Sequence, residues 1–202
     1  ADLAWQAASV AEMESRFDRA ELSEPEQLSY DLWKYSYEQS ASGEAYFYSG
    51  LVFDQMNGIH SFVPTFLINF HTVESVSDFE ALVARLNLIK PRMMDALDIA
   101  RESSKRGVVS PYFAMEGVAD QSRKIISGQP FDAEAETDSA IWADVQRKVT
   151  GLLENDLLSE DEANTLQAEA KDALLSSFGP AYEAIITWAE EERLSSPRCL
   201  RR

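Results

Sequence analysis

Apolar residues in this chain recur at steps of three and four from one end to the other, and that spacing constrains the fold more than any other feature. Leu3, Ala7, Val10, Met13, Phe17 and Ala20 form one such series; Ile141, Val145, Val149 and Leu152 form another. This spacing places side chains on one face of an α-helix. Only Ala45 to Phe53 can be read as a strand, and no second stretch alternates apolar and polar residues to pair with it. A lone strand leaves its backbone donors and acceptors without partners. The pattern predicts an all-α array of about eight helices, with residues 44–58 as a packed, partly irregular connection whose aromatics anchor the core.

Helix boundaries are written in serines, prolines and glycines. Ser23, Pro25 and Glu26 open a second helix: the serine caps first-turn N–H groups, the glutamate reaches back, and proline is tolerated where an N–H has no intrahelical partner. That helix carries Leu28, Leu32, Trp33 and Tyr35 and ends near Gly43. Pro64 is expected in the first turn of a short helix through Phe70. Ser77 and Glu80 have capping-box spacing ahead of Phe79, Leu82, Val83 and Leu86. Pro91 is expected to interrupt this pattern and begin another helix with Met93, Met94 and Leu97 inward. Lys105 and Arg106 face the negative end of its dipole, and Gly107 supplies a left-handed cap. Ser110-Pro111 starts the next helix, carrying Met115, Val118, Ser122 and Ile125, and Gly128 and Pro130 end it. After the acidic connection from Phe131 to Asp138, Ser159 and Glu162 form a further capping box ahead of Ala163, Leu166, Ala170 and Leu174. Gly179-Pro180 is expected to break the chain before a last helix with Tyr182, Ile185, Ile186 and Ala189. One helical domain over residues 1–202 is expected, with 129–138 as the place for a subdomain boundary.

Charge narrows the partners. A formal net charge of -17 disfavours nucleic acid, whose binding relies on clustered Lys and Arg, and disfavours anionic membrane surfaces. No apolar run approaches the ~18 residues that span a bilayer. Cys199, the single cysteine, excludes an intrachain disulfide and leaves the redox compartment undetermined. A chain that starts at Ala1 fits removal of a signal peptide, and fits removal of an initiator methionine equally.

Chemistry-bearing patterns are few. His60 and His71 stand eleven residues apart, and neither has a glutamate at the helical spacing that zinc peptidases use. Two readings stay open: a split metal site from His60, His71, Glu74 or Asp78, and structural roles in which His71 ends the short helix and His60 satisfies backbone in the turn. There is no G-x-S-x-G elbow and no Gly-rich phosphate loop. Glu154, Asn155 and Asp156 lack the alternation and central glycine of a calcium loop. Tyr112 and Glu116, four apart on one helix face, can hydrogen-bond a ligand and bind an amine, or Glu116 can pair with Arg123.

The stretch from Asn57 to Gly117 carries a resemblance. Asn57-Gly58-Ile59-His60 leads to a short helix around Pro64. A helix with Ser77, Asp78, Glu80, Arg85 and Leu86 follows, then a Pro91 helix, Gly107, and Ser110-Pro111 seven residues ahead of Gly117-Val118. This order resembles the N-terminal half of the bacterial domain-of-unknown-function 885 family, which is similar to helical zinc peptidases and includes exported proteins and lipoproteins. The resemblance implies a noncatalytic wall of a substrate channel, with Phe70, His71, Tyr112, Glu116 and Arg123 facing a peptide-like substrate. It implies no catalytic residue and no metal ligand in this chain; zinc is expected only in a C-terminal half carrying H-E-x-x-H, together with a periplasmic or exported location, a cytoplasmic one being the alternative. A free-standing acidic helical module that docks a protein partner through Tyr46 to Phe53 is the competing reading.

Overall fold

The computed structural model describes residues 2–198; Cys199 lies outside them. Among the described residues the chain forms eight α-helices, and its one β interaction is an isolated bridge between Gln129 and Asp138. It divides into two compact units, residues 1–50 and 51–202, and the connection at 129–138 lies inside the second.

The first unit is a helical hairpin of α1 (Asp2–Arg16) and α2 (Glu24–Gly43), with 3-10 turns at Arg19–Glu21 and Glu44–Ser49. Asp18 caps the first of these turns by accepting from the Ala20 N–H at 2.9 Å. The Glu26 carboxylate accepts from the Ser23 N–H and hydroxyl at 2.8 and 2.6 Å, as the capping-box spacing predicts. Arg19 pairs bidentately with Asp31, and Lys34 pairs with Glu14 at 2.7 Å. Trp5 meets Trp33 edge to face at 5.8 Å. Among the hairpin's described residues only Val10 is buried.

The second unit holds α3 (Ile59–Asn69), α4 (Val76–Lys105), α5 (Tyr112–Ile125), α6 (Ala140–Glu154), α7 (Glu160–Ala173) and α8 (Gly179–Ser195), with a π-helical turn, Leu174–Phe178, joining the last two. Its core is continuous: Phe79, Leu82, Leu86, Met93 and Leu97 of α4 are sealed by Met115, Val145, Leu152, Phe178 and Tyr182. Full burial of each such side chain contributes about 1.5–3 kcal/mol. Phe131, Phe178 and Tyr182 stack at 5.8 and 4.6 Å.

Four boundaries differ from the sequence reading, three of them at prolines. Pro64 sits inside α3, which begins at Ile59. Proline has no N–H to donate to the carbonyl four residues back. That carbonyl, of His60, accepts the Tyr182 hydroxyl instead, at 2.6 Å. Burial pushes the Tyr182 phenol pKa upward, so the proton stays available for donation. Pro91 likewise lies within one unbroken α4. The Asn87 carbonyl it leaves free accepts the Ser177 hydroxyl at 3.0 Å, and Ser177 Oγ accepts the Lys90 N–H at 3.1 Å. Gly179-Pro180 does not break the chain: the Gly179 N–H reaches the Leu174 carbonyl across the π turn, and helix continues into α8. The fourth difference is the α4 cap, which is Ser75 with Asp78. The Asp78 carboxylate collects the N–H groups of Glu74 and Ser75 and the Ser75 hydroxyl, three donors in place of the two that Glu80 offered. The aromatic connection differs in another respect: Phe53 is buried, but Tyr46 and Phe47 are 72% and 58% exposed and anchor no core.

Candidate functional site

One group of polar side chains of the second unit lies where α3 ends. A cavity of about 430 Å³ opens there between the segment after α3 and one face of α6, lined by Asn69, His71, Thr72, Glu74, Arg147 and Lys148 among others. Its floor is a buried ion pair. Lys148 Nζ donates to Asp144 Oδ2 at 2.6 Å and to the Leu67 carbonyl at 2.7 Å, so the ammonium also caps the C-terminus of α3. Arg147 donates to the other Asp144 oxygen, while its own side chain stays 67% exposed. One cation is consumed by structure and the other faces outward.

His71 is buried beside this cavity and both ring nitrogens are engaged. Arg85 donates to Nδ1 at 2.6 Å, which leaves the proton on Nε2, and Nε2 donates to the Asp78 carbonyl at 3.0 Å. The ring thus ties the end of α3 to the first turn of α4. Phe70, the preceding residue, is exposed and stacks on Phe66 at 6.4 Å. Arg147 and Glu74 present a cation and a carboxylate at one cavity, an arrangement that can hold the two charged ends of a short zwitterionic chain.

Tyr112, Glu116 and Arg123 form a separate group on the seam between α5 and α8. Arg193 and Arg198 each stand over the Tyr112 ring, at 5.4 and 5.1 Å, and the Tyr112 backbone N–H donates to the Pro197 carbonyl at 3.2 Å. Glu116 pairs with Arg193 at 3.6 Å, not with Arg123, which pairs with Asp120 and Glu190. These side chains hold the C-terminal helix in place.

His60 belongs to a third network. Its Nε2 donates to Gln121 Oε1 at 3.0 Å, and Gln121 Nε2 donates to the Gln55 carbonyl at 2.8 Å. The ring is fully buried against Phe53, and its Nδ1 has no partner. A Cβ added at Gly58 would stand 2.2 Å from that nitrogen, so the turn requires glycine. Burial pushes the His60 pKa below its ordinary 6.5. The two histidines therefore sit in different networks, Asp78 is committed to its cap, and no three His, Cys, Asp or Glu side chains among the described residues are grouped to hold a metal. The described residues do not fit a zinc ion.

Sequence reasoning passed over Asp144, Lys148 and Arg147 as site residues, and Arg85 entered it only within the family resemblance. A signal for the first two existed: they stand four apart on α6, and Lys148 falls among the inward positions Val145, Val149 and Leu152. A lysine on a core face needs a buried partner.

A family model described as "Bacterial protein of unknown function (DUF885)" matches residues 1–199. Comparison with curated proteins and with solved structures returns no match.

Proposed function

The chain belongs to the bacterial family DUF885, and we propose from that premise that it is the noncatalytic, channel-forming N-terminal half of a zinc-peptidase-like hydrolase. Family membership over residues 1–199 supports this reading through the resemblance of that family to helical zinc peptidases. The donor set agrees with it: His60 and His71 are committed to buried hydrogen bonds, and the chain contains no H-E-x-x-H. Zinc would be held by a downstream half and would supply Lewis-acid chemistry there. In this chain Arg147 and Glu74 would orient the charged ends of a peptide-like substrate, and Phe70 would offer an apolar face beside them. The same reading carries export to the periplasm.

The test is zinc content and cleavage of a fluorogenic peptide pool, measured on this chain alone and on a longer protein that includes an H-E-x-x-H segment. Stoichiometric zinc and cleavage in the longer protein only are expected, with cleavage reduced at least tenfold by Arg147→Ala. Zinc-dependent cleavage by the 202-residue chain alone, or a longer protein that takes up no zinc, overturns the proposal. The exposure of Tyr46 and Phe47 favours a second reading, a helical module that docks a protein partner through these aromatics. That reading gains if neither protein cleaves peptide and Tyr46→Ser with Phe47→Ser abolishes a purified partner's binding.

A further inference from the structure

A second cavity, of about 480 Å³, runs along α3 and α4 and differs in character from the polar one. Ile59, Phe62, Val63 and Phe66 form one wall, and Leu88 and Met93 contribute to the other. The α4 lining extends from Arg85 to Ile99, about 21 Å of helix. Phe62 and Phe66 stack within the groove at 6.0 Å, Phe70 continues the ladder outside its lining at 6.4 Å, and Phe62 and Leu88 are 62% and 59% exposed. The volume is that of a small-ligand site.

Charge at the rim selects the ligand. Arg85 and Arg92 line this groove with a single carboxylate, Asp95, in a chain of net charge -17. Asp95 stands 3.9 Å from Arg92, with both side chains at least 70% exposed, so the pair is loose. Arg85 donates one N–H to His71 and has no carboxylate partner among the described residues. The walls between the two guanidiniums are hydrocarbon. A sugar or an extended peptide would need hydrogen-bond partners along its length, and the groove offers polar side chains only at Arg85, Arg92 and Asp95. A cationic amphiphile would meet two guanidiniums.

We propose that the α3–α4 groove binds a free single-chain amphiphile with a carboxylate head: its alkyl chain lies along the phenylalanine ladder and its carboxylate pairs with Arg85 or Arg92. This site goes beyond the hydrolase reading and does not depend on it, because it needs no metal and no downstream half.

Calorimetric titration of the full chain with sodium dodecanoate, below its micelle concentration, is the test, with dodecyltrimethylammonium as the charge-reversed probe. Saturable one-to-one binding of dodecanoate is expected, at least tenfold tighter than dodecyltrimethylammonium. Arg85→Gln with Arg92→Gln should weaken it at least tenfold. Leu88→Glu, at an exposed site that leaves the Arg85 to His71 hydrogen bond intact, should abolish it while circular dichroism shows the fold retained. Equal affinity for the two probes, non-saturable uptake, or a Leu88→Glu protein that still binds overturns the proposal. So does binding to phosphatidylglycerol vesicles without binding of monomeric dodecanoate. A dimer that Leu88→Glu dissolves, with no dodecanoate bound, would assign the groove to a second copy of the chain instead.

Discussion

The hairpin of residues 1–50 and the body of residues 51–202 are built from the same local signals but retained by different forces. Ser23 with Glu26 opens α2 as Ser159 with Glu162 opens α7. Apolar residues recur with helical spacing in both units. Yet the hairpin buries only Val10 among its described residues and leaves Trp5, Leu28, Leu32 and Tyr35 between 55% and 62% exposed, whereas α4 alone seals five large side chains completely. Its cross-helix ion pairs sit at half-exposed side chains, where water and salt weaken them. Caps and periodicity determine where a helix forms. Burial determines whether it stays.

Separating the units tests that contrast most severely. Residues 51–202 expressed alone should keep a cooperative urea transition at the midpoint of the whole chain. A peptide of residues 1–50 should show weak helical circular dichroism that melts without a cooperative transition, since a two-helix hairpin without a core is marginal in water. A hairpin peptide that remains fully helical would break the comparison. Within the intact chain, Phe79→Ala should cost about 3–5 kcal/mol by leaving a cavity in the core. Leu32→Ala, at a site 55% exposed, should stay within about 0.5 kcal/mol. Denaturant titration of the two variants side by side gives the ratio directly.

Ion pairs extend the contrast. Asp144→Ala strands the Lys148 ammonium, which is 4% exposed, and should cost about 3–5 kcal/mol. Asp31→Ala removes an equally well-aligned partner from Arg19 in the hairpin and should leave the urea midpoint of the chain where it was. Equal shifts would mean that burial is not what separates the units.

Sequence reading recovered the helices and most of the core face because caps, glycine stops and apolar periodicity act within a few residues. Phe79, Leu82, Met115, Val145, Leu166 and Ile185 are buried as their spacing predicted. It misplaced Pro64 and Pro91 because what keeps the helices running there is not local to the prolines, and Gly179-Pro180 because a π turn that bonds Gly179 to Leu174 carries the helix past them. The hydroxyl that replaces the bond lost at Pro64 comes from 122 residues beyond the freed carbonyl, and the one at Pro91 from 90 residues beyond. At the candidate site Phe70, His71 and Glu74 were legible, but Asp144, Arg147 and Lys148 and the pairing of the charges were not. Nothing near Glu116 in sequence says that its cation will be Arg193, or that Arg85 will hold His71.

Acid separates the units through one histidine. The hairpin contains none, and His60 of the body is fully buried with its pKa held below 6.5 by desolvation. The unfolded chain therefore takes up this proton first as pH falls. The residue's contribution to stability is complete above about 6.5 and declines as pH drops from there toward the folded-state pKa. Urea midpoints of the chain should fall across that window, and His60→Gln should flatten the change. Asp78 and Glu162, whose pKa values are held down by their capping hydrogen bonds, act in a separate and more acidic window. Their contributions are present above 3.8 and 4.5 and are lost as pH falls through the folded values.

The smallest expected effect isolates the lesson best, because the chemistry is the same in both units. Ser75 and Ser23 each stand three residues before a carboxylate that accepts their N–H and hydroxyl. Ser75→Ala should lower global stability by about 1 kcal/mol, since α4 runs through the core and cannot fray without exposing it. Ser23→Ala removes an equivalent cap from a helix that buries nothing completely. Its cost should be confined to faster amide exchange in the first turn of α2, with the urea midpoint unmoved, because a unit that opens on its own cannot pass its loss to the rest. If Ser23→Ala lowers the midpoint as far as Ser75→Ala does, the hairpin and the body unfold as one cooperative unit, and the sparse burial of the hairpin has misled about its coupling.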